Sequence, residues 1–305
     1  MESKAQYRVI NLTGWLLLLG LICSASLHAE EANCLLWEVP GERNTVYLLG
    51  SIHMMRAEDY PLDQCVERAY QKTDQLVVEL NILDIDPLVM FQKMQQLGLL
   101  PDGAVLSSQL SDETARQLAK LKNLPAGYQR MRPWYLALTL AMQKLATLGY
   151  RADLGVDHYL INKAQGIKPI ISLESLDQQL AVLAGDSAEQ QDLSLRLTLE
   201  QLPDIAGDLD RMSQAWQQGD AEAIYRLMEQ PKQLYPALAE PFERQVIERN
   251  HGIADKIITM LKEEDDYLVV IGGGHLGGEQ GIISLLEKQG LTLTQQQKLG
   301  RTMLY

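Results

Sequence analysis

Residues 45–53 read TVYLLGSIH and predict a buried β-strand that ends at a glycine, with a histidine three residues further on. A helical spacing of apolar residues follows over residues 61–73. Residues 75–80, QLVVEL, then predict a second buried strand. A strand, a helix and a strand within about 35 residues form a βαβ unit, whose strands run parallel. This part of the chain therefore predicts an α/β fold.

The remainder of the chain adds further strands and a long helical middle. Residues 168–173, KPIISL, and 266–271, DYLVVI, predict two more strands, and a last one is expected near the C-terminus. Residues 83–168 carry helical patterns interrupted by proline and glycine. Residues 206–229 place their apolar side chains on one helical face. We expect one α/β domain over residues 30–305, with a mixed or parallel sheet, flanking helices and a large helical insertion at about 83–168.

Composition excludes several classes of function. The chain has 305 residues, 46% of them hydrophobic and 22% charged, which is enough for a sizeable core and excludes global disorder. Lys and Arg number 27 against 40 Asp and Glu, so the formal charge is −13. A nucleic-acid binder needs a basic face to displace phosphate counterions, and anionic lipid attracts basic segments. We therefore expect neither nucleic acid nor an anionic membrane surface as a partner, but a peptide or a small molecule.

The first 29 residues have the pattern of a secretory signal peptide. Lys4 and Arg8 precede an apolar run over residues 12–23, and small residues follow it. Twelve helical residues span roughly 18 Å, well short of a ~30 Å hydrocarbon core. We predict cleavage after Ala29 or a few residues earlier, with an uncleaved anchor as the alternative. No later apolar stretch is long enough to span a membrane, so we expect an exported protein, periplasmic or extracellular, without stable membrane insertion.

Export determines how the cysteines are interpreted. The sequence has three, and Cys23 leaves with the signal peptide, so Cys34 and Cys65 remain. An oxidising compartment favours a disulfide between them, and two separate buried thiols are the alternative. Two cysteines cannot form a four-ligand zinc cage. We predict that the two residues lie close together.

Chemically active side chains follow each of four predicted strands. His53, Glu79, Glu174 and His275 stand at or just after the strand ends. Because the carboxyl ends of parallel strands meet at one edge of a sheet, we expect these side chains to converge. Imidazole and carboxylate donors without thiolate suit Zn²⁺, Mn²⁺ or Co²⁺. We therefore predict a divalent metal ion, of open identity, at this edge.

Glycines accompany both histidines. Gly50 and Gly272 end their strands, where a positive φ is expected, and Gly274 is expected to let the backbone approach a ligand closely. The pattern Gly272-x-Gly274-x-x-Gly277 formally matches a dinucleotide fingerprint. However, that fingerprint belongs early in a βαβ unit with an acidic residue ~20 positions on, which is not found here. Motifs for a zincin, a serine hydrolase elbow and a P-loop are also missing from the sequence.

Taken in order, these short blocks resemble the TraB/GumN family, which includes bacterial proteins, a pheromone-shutdown group and the animal Tiki proteins. The resemblance covers roughly residue 35 to the C-terminus and includes two GxxH motifs. The matching blocks are residues 48–53 (LLGSIH), 77–79 (VVE), 155–160 (GVDHYL), 173–175 (LES) with Gln179, Arg249 with Asn250, and 272–276 (GGGHL). The three consecutive glycines of the last block are a mild departure from the family pattern.

The resemblance implies a fold related to the erythromycin-esterase-like hydrolases. For the Tiki proteins it implies a divalent-metal-dependent protease, and for the bacterial members only a hydrolase without an assigned substrate. Together with the strand-end argument it gives the expected site. The metal ligands are His53, Glu79 and His275, further catalytic residues are Glu174 and Arg249, and supporting residues are Gly50, Asp157, Gln179, Asn250, Gly272 and Gly274.

Some of these residues have purely structural alternatives. Asp157 would cap the helix that begins near His158. Glu174 would start the next helix, and Arg249 would form an ion pair within its own helix instead of clamping a carboxylate or another anion. His158 itself is expected on a helix surface.

Three functions remain compatible with the sequence. The first is an exported metal-dependent hydrolase that acts on a peptide or ester bond, with metal-activated water and Arg249 beside the oxyanion. The second is a binding protein that captures a peptide or small ligand without turnover. The third is a metal-independent, esterase-like hydrolase with histidine as the base.

Overall fold

The computed structural model describes residues 33–185 and 187–298, so the predicted signal peptide lies outside the described residues. The strands are β1 (Asn33–Pro40), β2 (Thr45–Ser51), β3 (Gln75–Val78), β4 (Ile170–Ser172), β5 (Tyr267–Gly272) and β6 (Thr294–Gln297). The helices are α1 (Gln64–Lys72), α2 (Pro87–Gly98), α3 (Asp112–Leu118), α4 (Pro133–Thr147), α5 (Val156–Ala164), α6 (Leu176–Ala184), α7 (Ala188–Gln201), α8 (Ile205–Gln218), α9 (Ala221–Leu234), α10 (Ala239–Phe242), α11 (Arg249–Met260) and α12 (Ile282–Lys288).

The strands form one mixed sheet in the order β4-β3-β5-β2-β1-β6. The four strands β4, β3, β5 and β2 run parallel, while β1 is antiparallel to both of its neighbours. The predicted α/β class with a mixed sheet is confirmed. The strands of the predicted βαβ unit are parallel but not adjacent, because β5 lies between β2 and β3. An almost wholly buried, apolar strand such as β5 is suited to this central position.

Strand β1 was not predicted from the sequence. It pairs with β2 as a hairpin, with Trp37 opposite Leu48 and Val39 opposite Val46. Its apolar run, Cys34 to Trp37, is followed within a few residues by Pro40 and Gly41, and this was the available signal.

A second correction concerns residues 206–229, which are two helices and not one continuous face. Gly219 ends α8 in a left-handed conformation with φ +71°. Asp220 then starts α9, because its side chain accepts a hydrogen bond from the Ala223 N–H. The two helices therefore form a hairpin.

Most of the helices lie in two long insertions. Helices α2 to α5 connect β3 to β4, where the helical insertion was predicted, and α6 to α11 connect β4 to β5. The main core covers the sheet, and a second, smaller core joins parts of α3, α4 and α7 through Leu118, Leu136 and Leu195. In the part of the chain that the structure describes, none of these helices is both long and apolar enough to cross a membrane.

A disulfide joins Cys34 of β1 to Cys65 of α1, with their Cα atoms 6.6 Å apart. The prediction that the two cysteines lie close together is confirmed, and the bridge closes a loop whose ends are 31 residues apart in sequence. Because β1 pairs with β2, the bridge ties α1 to the strand beside the one that precedes His53.

A polar cluster fastens α1 to α5. The Glu67 carboxylate accepts hydrogen bonds from Lys163 and Tyr159, and these side chains are mostly buried. Burial alone would raise the pKa of Glu67, but the hydrogen bonds and the charge of Lys163 lower it below its ordinary value. The ionised carboxylate therefore stabilises the packing of the helix that follows β2 against the helix that carries Asp157.

Candidate functional site

The carboxyl ends of three neighbouring strands bring His53, His275 and Glu79 together. His53 follows β2, His275 follows β5, and Glu79 comes directly after β3. All three side chains surround Gly272, the last residue of β5. A methyl group on Gly272 would lie 3.3 Å from Glu79 Oε1, 3.4 Å from His53 Nε2 and 3.5 Å from His275 Cδ2. The absence of a side chain at Gly272 therefore leaves a small space that these three groups border.

His53 is oriented by the start of α5. The Asp157 carboxylate lies 3.2 Å from its Nδ1, and the Val156 N–H donates to the Ile52 carbonyl at 3.0 Å. A side chain at Gly155 would overlap the His53 carbonyl oxygen, so glycine permits this close approach. Asp157 does not cap α5, since the N-cap is Gly155 and no side chain caps it. The block at residues 155–157 is therefore a platform for the imidazole.

The His53 side chain faces protein groups on the side of Gly272, and 60% of its surface is open to solvent. Burial opposes a charge on this ring. The hydrogen bond to Asp157 and the nearby carboxylates outweigh burial and raise the pKa of His53 to about 9. With Nδ1 engaged by Asp157, the free edge of the ring presents Nε2 to the space beside Gly272.

His275 is held in one tautomer by Asn250. The Asn250 Nδ2 donates to the Gln280 carbonyl at 2.8 Å, which turns Oδ1 toward His275 Nδ1 at 2.6 Å. Nδ1 must therefore carry the proton, and Nε2 keeps its lone pair. The residue is 6% exposed. Burial and the neighbouring Arg249 lower the pKa of His275 to about 4, although Glu79 opposes this, so the ring is neutral near pH 7.

Glu79 is satisfied on both carboxylate oxygens. Oε1 accepts the Gly272 N–H at 2.6 Å, and Oε2 accepts Arg249 Nη2 at 2.7 Å and Gln179 Nε2 at 3.2 Å. Burial opposes ionisation, but the imidazoles and the guanidinium around the carboxylate lower the pKa of Glu79 to about 2. Glu79 is therefore a fixed negative charge and a weak base at neutral pH.

Arg249 clamps two carboxylates at the start of α11. It forms a two-point pair with Glu174, at 2.7 Å from Nε and 2.8 Å from Nη2, besides its bond to Glu79. Its Nη1 lies 3.1 Å from the Gln245 carbonyl and 3.2 Å from His275 Nε2. All five N–H groups are thus engaged, so binding an oxyanion would require Arg249 to release a present partner. A π-helical segment, Glu243–Glu248, directly precedes this residue.

The expected roles of the glycines need correction. Gly50 and Gly272 are not among the glycines with positive φ. A side chain at Gly50 would overlap Leu35, and one at Gly274 would overlap Met228 of α9. These two glycines are therefore required for packing under β1 and α9. Gly274 does not approach the space bordered by the histidines, and of the three only Gly272 adjoins it.

A sequence model of the TraB/PrgY/gumN family matches residues 35–295. The chain belongs to this family. It is similar to uncharacterized protein YbaP of Shigella flexneri and of Escherichia coli (strain K12), each 27% identical over 256 residues, which are 81% of this chain and 89% of the relative. An uncharacterized protein of Treponema pallidum (strain Nichols) is 23% identical over 285 residues, 89% of this chain and 85% of the relative. No solved structure matches this chain significantly, so the erythromycin-esterase kinship stays a prediction.

The blocks that carry the TraB/PrgY/gumN resemblance supply the residues that meet at this sheet edge. Gln179 joins them by donating to both Glu79 and Glu174. The two other histidines among the described residues lie outside the site. His158 pairs with Asn162 on the exposed side of α5, as expected for a helix-surface residue, and His251 is exposed on α11.

Sequence reasoning missed three contributors to the site. Gly155 lay in a quoted block, but its contact with the His53 backbone has no signal in the sequence. Gln245 and Gln280 act through their backbone carbonyls, which any residue type could supply. Their roles follow only from the positions of α11 and of the turn after β5.

The donor chemistry around Gly272 fits a divalent cation. Both imidazoles are anchored at Nδ1 by an oxygen acceptor, which is the usual support for metal-bound histidine. His53 Nε2 borders the space beside Gly272, whereas His275 Nε2 lies 3.2 Å from Arg249 Nη1. The site has a formal charge of −2 when both imidazoles are neutral, because it holds one guanidinium and three carboxylates: Arg249 with Glu79, Glu174 and Asp157.

The spacing of the donors is wider than that of a closed metal site. Among the described residues, the three predicted ligands do not form a group of donor atoms within 4.8 Å of one another. Cys34, Asp63 and Cys65 do form such a group, but the two sulfurs are joined in the disulfide. A metal at Gly272 would therefore require the side chains of the site to close around it.

Proposed function

We propose that this protein is an exported hydrolase that cleaves an amide or ester bond at the site formed by His53, Glu79 and His275. The observation that carries the proposal is the pair of oriented imidazoles from adjacent parallel strands. Each has its Nδ1 fixed by Asp157 or Asn250, and both border one small space beside a permanently ionised carboxylate. Oriented imidazoles are the commonest acids and bases in hydrolysis.

The site residues would have different roles in the reaction because their environments differ. His53, open to solvent and paired with Asp157, is placed to exchange a proton with water or with a leaving group. The neutral His275 directs its Nε2 lone pair at Arg249 Nη1, which would have to release it before His275 could bind a metal ion or a proton. Arg249 and Gln179 each hydrogen-bond to both Glu79 and Glu174, so they hold the two carboxylates in position.

A divalent metal ion is part of the proposal, and His53, Glu79 and His275 would hold it. When bound, such an ion lowers the pKa of a coordinated water and polarises the carbonyl of the substrate. Because His53 must release its proton to become a ligand, the apparent affinity for metal should increase with pH.

One observation favours a metal-independent hydrolase as the second candidate. The Arg249 guanidinium already contacts Glu79 and His275, so a positive charge is supplied there by the protein itself. In this version His53 with Asp157 acts as the acid and base, and a water molecule is the nucleophile.

Export is proposed together with the activity. A signal peptide over residues 1–29 would direct the chain to the periplasm or the extracellular space. The disulfide between Cys34 and Cys65 supports this location, because such bonds persist in oxidising compartments. The substrate is proposed to be a peptide or a small ester.

An unbiased screen of peptides and esters tests the proposal. The protein is purified without chelators, analysed for metal, and assayed as purified, after EDTA, and after addition of Zn²⁺, Mn²⁺ or Co²⁺. Turnover that EDTA abolishes and a metal restores supports the first candidate. Turnover that is insensitive to EDTA supports the second. If nothing is hydrolysed while a ligand still binds at His53 and His275, the protein is a binding module.

A further inference from the structure

A cavity of about 230 Å³ lies between α4, α6, α7 and the segment that precedes α11. It is distinct from the space beside Gly272, and of the residues assigned to the site only Gln245 lines it. This is many times the ~10–15 Å³ of such space that a cavity needs to hold one water molecule. It is therefore large enough for an amino-acid side chain or an acyl group of similar size.

The cavity shares two walls with the site. Leu183 lines it from α6, four residues after Gln179, which donates to Glu79. Gln245 lines it from the π-helical segment, four residues before Arg249, and its carbonyl accepts Arg249 Nη1 at 3.1 Å. Four residues advance a helix by about 6 Å. The cavity thus begins about one helical turn from the cluster of Arg249 and its carboxylates.

The two walls are also fastened to each other. Gln245 Nε2 donates to the Val182 carbonyl of α6 at 3.0 Å. A group seated in the cavity would therefore contact the same two segments that position Glu79, Glu174 and Arg249.

The lining defines the chemistry of a ligand. Its polar groups are side-chain amides and hydroxyls, and its apolar part is aliphatic apart from one tryptophan. None of the described residues that line it is charged. A charged group would lose hydration there without gaining an opposite charge from the lining residues, whereas an uncharged group with a hydrogen-bonding end could be satisfied. The lining residues with polar side chains include Gln191, Ser194, Thr198, Gln201 and Gln245.

We propose that this cavity is a substrate subsite that receives an uncharged side chain or acyl substituent next to the bond that is cleaved. This inference rests on the proposed hydrolase function and adds a substrate class to it. A glutamine or leucine side chain fits the volume and the lining, whereas glutamate and lysine are excluded by their charge.

The test compares substrates with one scissile bond and different side chains. The 4-nitroanilides and 4-nitrophenyl esters of N-acetylated Gly, Gln, Leu, Glu and Lys are assayed with the full chain. We expect kcat/KM for the Gln and Leu derivatives to exceed that for the Glu and Lys derivatives at least tenfold. Ser194 is exposed on α7 at the cavity, so Ser194→Trp fills the cavity with little effect on folding. This variant should lower kcat/KM for the Gln derivative at least tenfold relative to the Gly derivative.

Ala188→Trp is the matched control, because Ala188 is exposed on the same helix and is not among the lining residues. It should keep the wild-type order of substrates. A second measurement does not depend on turnover. Saturation-transfer NMR should detect binding of N-acetyl-L-glutaminamide, in preference to N-acetyl-L-glutamate, to the wild type and to Ala188→Trp but not to Ser194→Trp.

The outcomes separate the subsite from the hydrolase. Hydrolysis at equal rates for Gln, Glu and Lys derivatives, unchanged by Ser194→Trp, overturns the subsite and leaves the hydrolase in place. If nothing is hydrolysed but the glutaminamide binds and Ser194→Trp abolishes binding, the cavity is a ligand site and the hydrolase is refuted. If neither hydrolysis nor binding is observed, both the subsite and the hydrolase are overturned.

Discussion

Replacing Arg249 with methionine removes the guanidinium that pairs with Glu79 and Glu174. The Arg249 side chain is 15% exposed and each carboxylate 11%, so the charges left behind are shielded from water. Breaking a buried pair by removing one partner costs about 3–5 kcal/mol. Because whole domains are stable by about 5–15 kcal/mol, Arg249→Met should lose a large part of the free energy of unfolding.

A double-mutant cycle tests whether the effect of Glu174→Gln on stability changes sign when Arg249 is removed. In the wild-type background, Glu174→Gln removes a charged hydrogen-bond partner and should destabilise the protein by about 1–3 kcal/mol. In the Arg249→Met background, the same change removes an unpaired buried charge and should increase stability. Contacting residues in one network typically show coupling energies of about 0.5–3 kcal/mol.

Urea unfolding followed by circular dichroism measures all four proteins, with the disulfide intact and EDTA present. Arg211→Met is the matched control, because Arg211 pairs with Asp208 at the surface of α8. It should change stability by no more than about 0.5 kcal/mol. If Glu174→Gln destabilises both backgrounds equally, the network does not act as a clamp and the reasoning is wrong.

Three further predictions concern stability. Gly155→Ala should destabilise the protein by about 1–3 kcal/mol in urea unfolding, because the new methyl group overlaps the carbonyl oxygen of His53. Gly252→Ala, which places a methyl group in open space on α11, should stabilise it by about 0.5–1 kcal/mol. Because the pKa of Glu67 is lower in the folded protein, its ionised carboxylate stabilises the fold at pH values above its unfolded pKa of about 4.3. This stabilisation is lost as the pH falls through the pKa of the folded state. Glu67→Gln should therefore make stability depend less steeply on pH on the acid side. Replacing Cys34 and Cys65 with serine should cost about 3–4 kcal/mol in thermal or urea unfolding, given the sequence separation of 31 residues.

Different results would count against each argument. If Gly155→Ala and Gly252→Ala change stability equally, the contact between Gly155 and the backbone of His53 tolerates a side chain. If Glu67→Gln leaves the acid side of the pH–stability profile unchanged, a carboxylate other than Glu67 causes the loss of stability at low pH. Cysteine replacement without loss of stability would mean that the bridge constrains the unfolded chain very little.

Local sequence patterns predicted most of the sheet. Strand β5 has a long apolar run that ends in glycines, and β2 and β3 flank an amphipathic helix. The order of the strands was not predicted, because the insertion of β5 between β2 and β3 depends on pairing between segments about 200 residues apart. The α8–α9 hairpin was missed because a single glycine with positive φ interrupts an otherwise continuous apolar pattern.

The sequence indicates which side chains lie at this sheet edge but not which groups they contact. The strand-end argument places His53, Glu79 and His275 together because parallel strands share an edge. The sequence could not show that Arg249 uses all five of its donors, or that Gly274 packs against Met228. These facts depend on how α9 and α11 dock, which is a property of tertiary packing.

The most direct test of the proposed function is kcat/KM for the wild type and four single histidine variants on a substrate found by the screen. We predict that His53→Ala and His275→Ala each lose about 100-fold or more, as expected when an acid–base group or a metal ligand is removed. His158→Ala and His251→Ala, whose side chains lie outside the site on α5 and α11, should retain wild-type values, with circular dichroism confirming that all four are folded. Near-wild-type turnover by both His53→Ala and His275→Ala would contradict a hydrolytic site at this edge of the sheet.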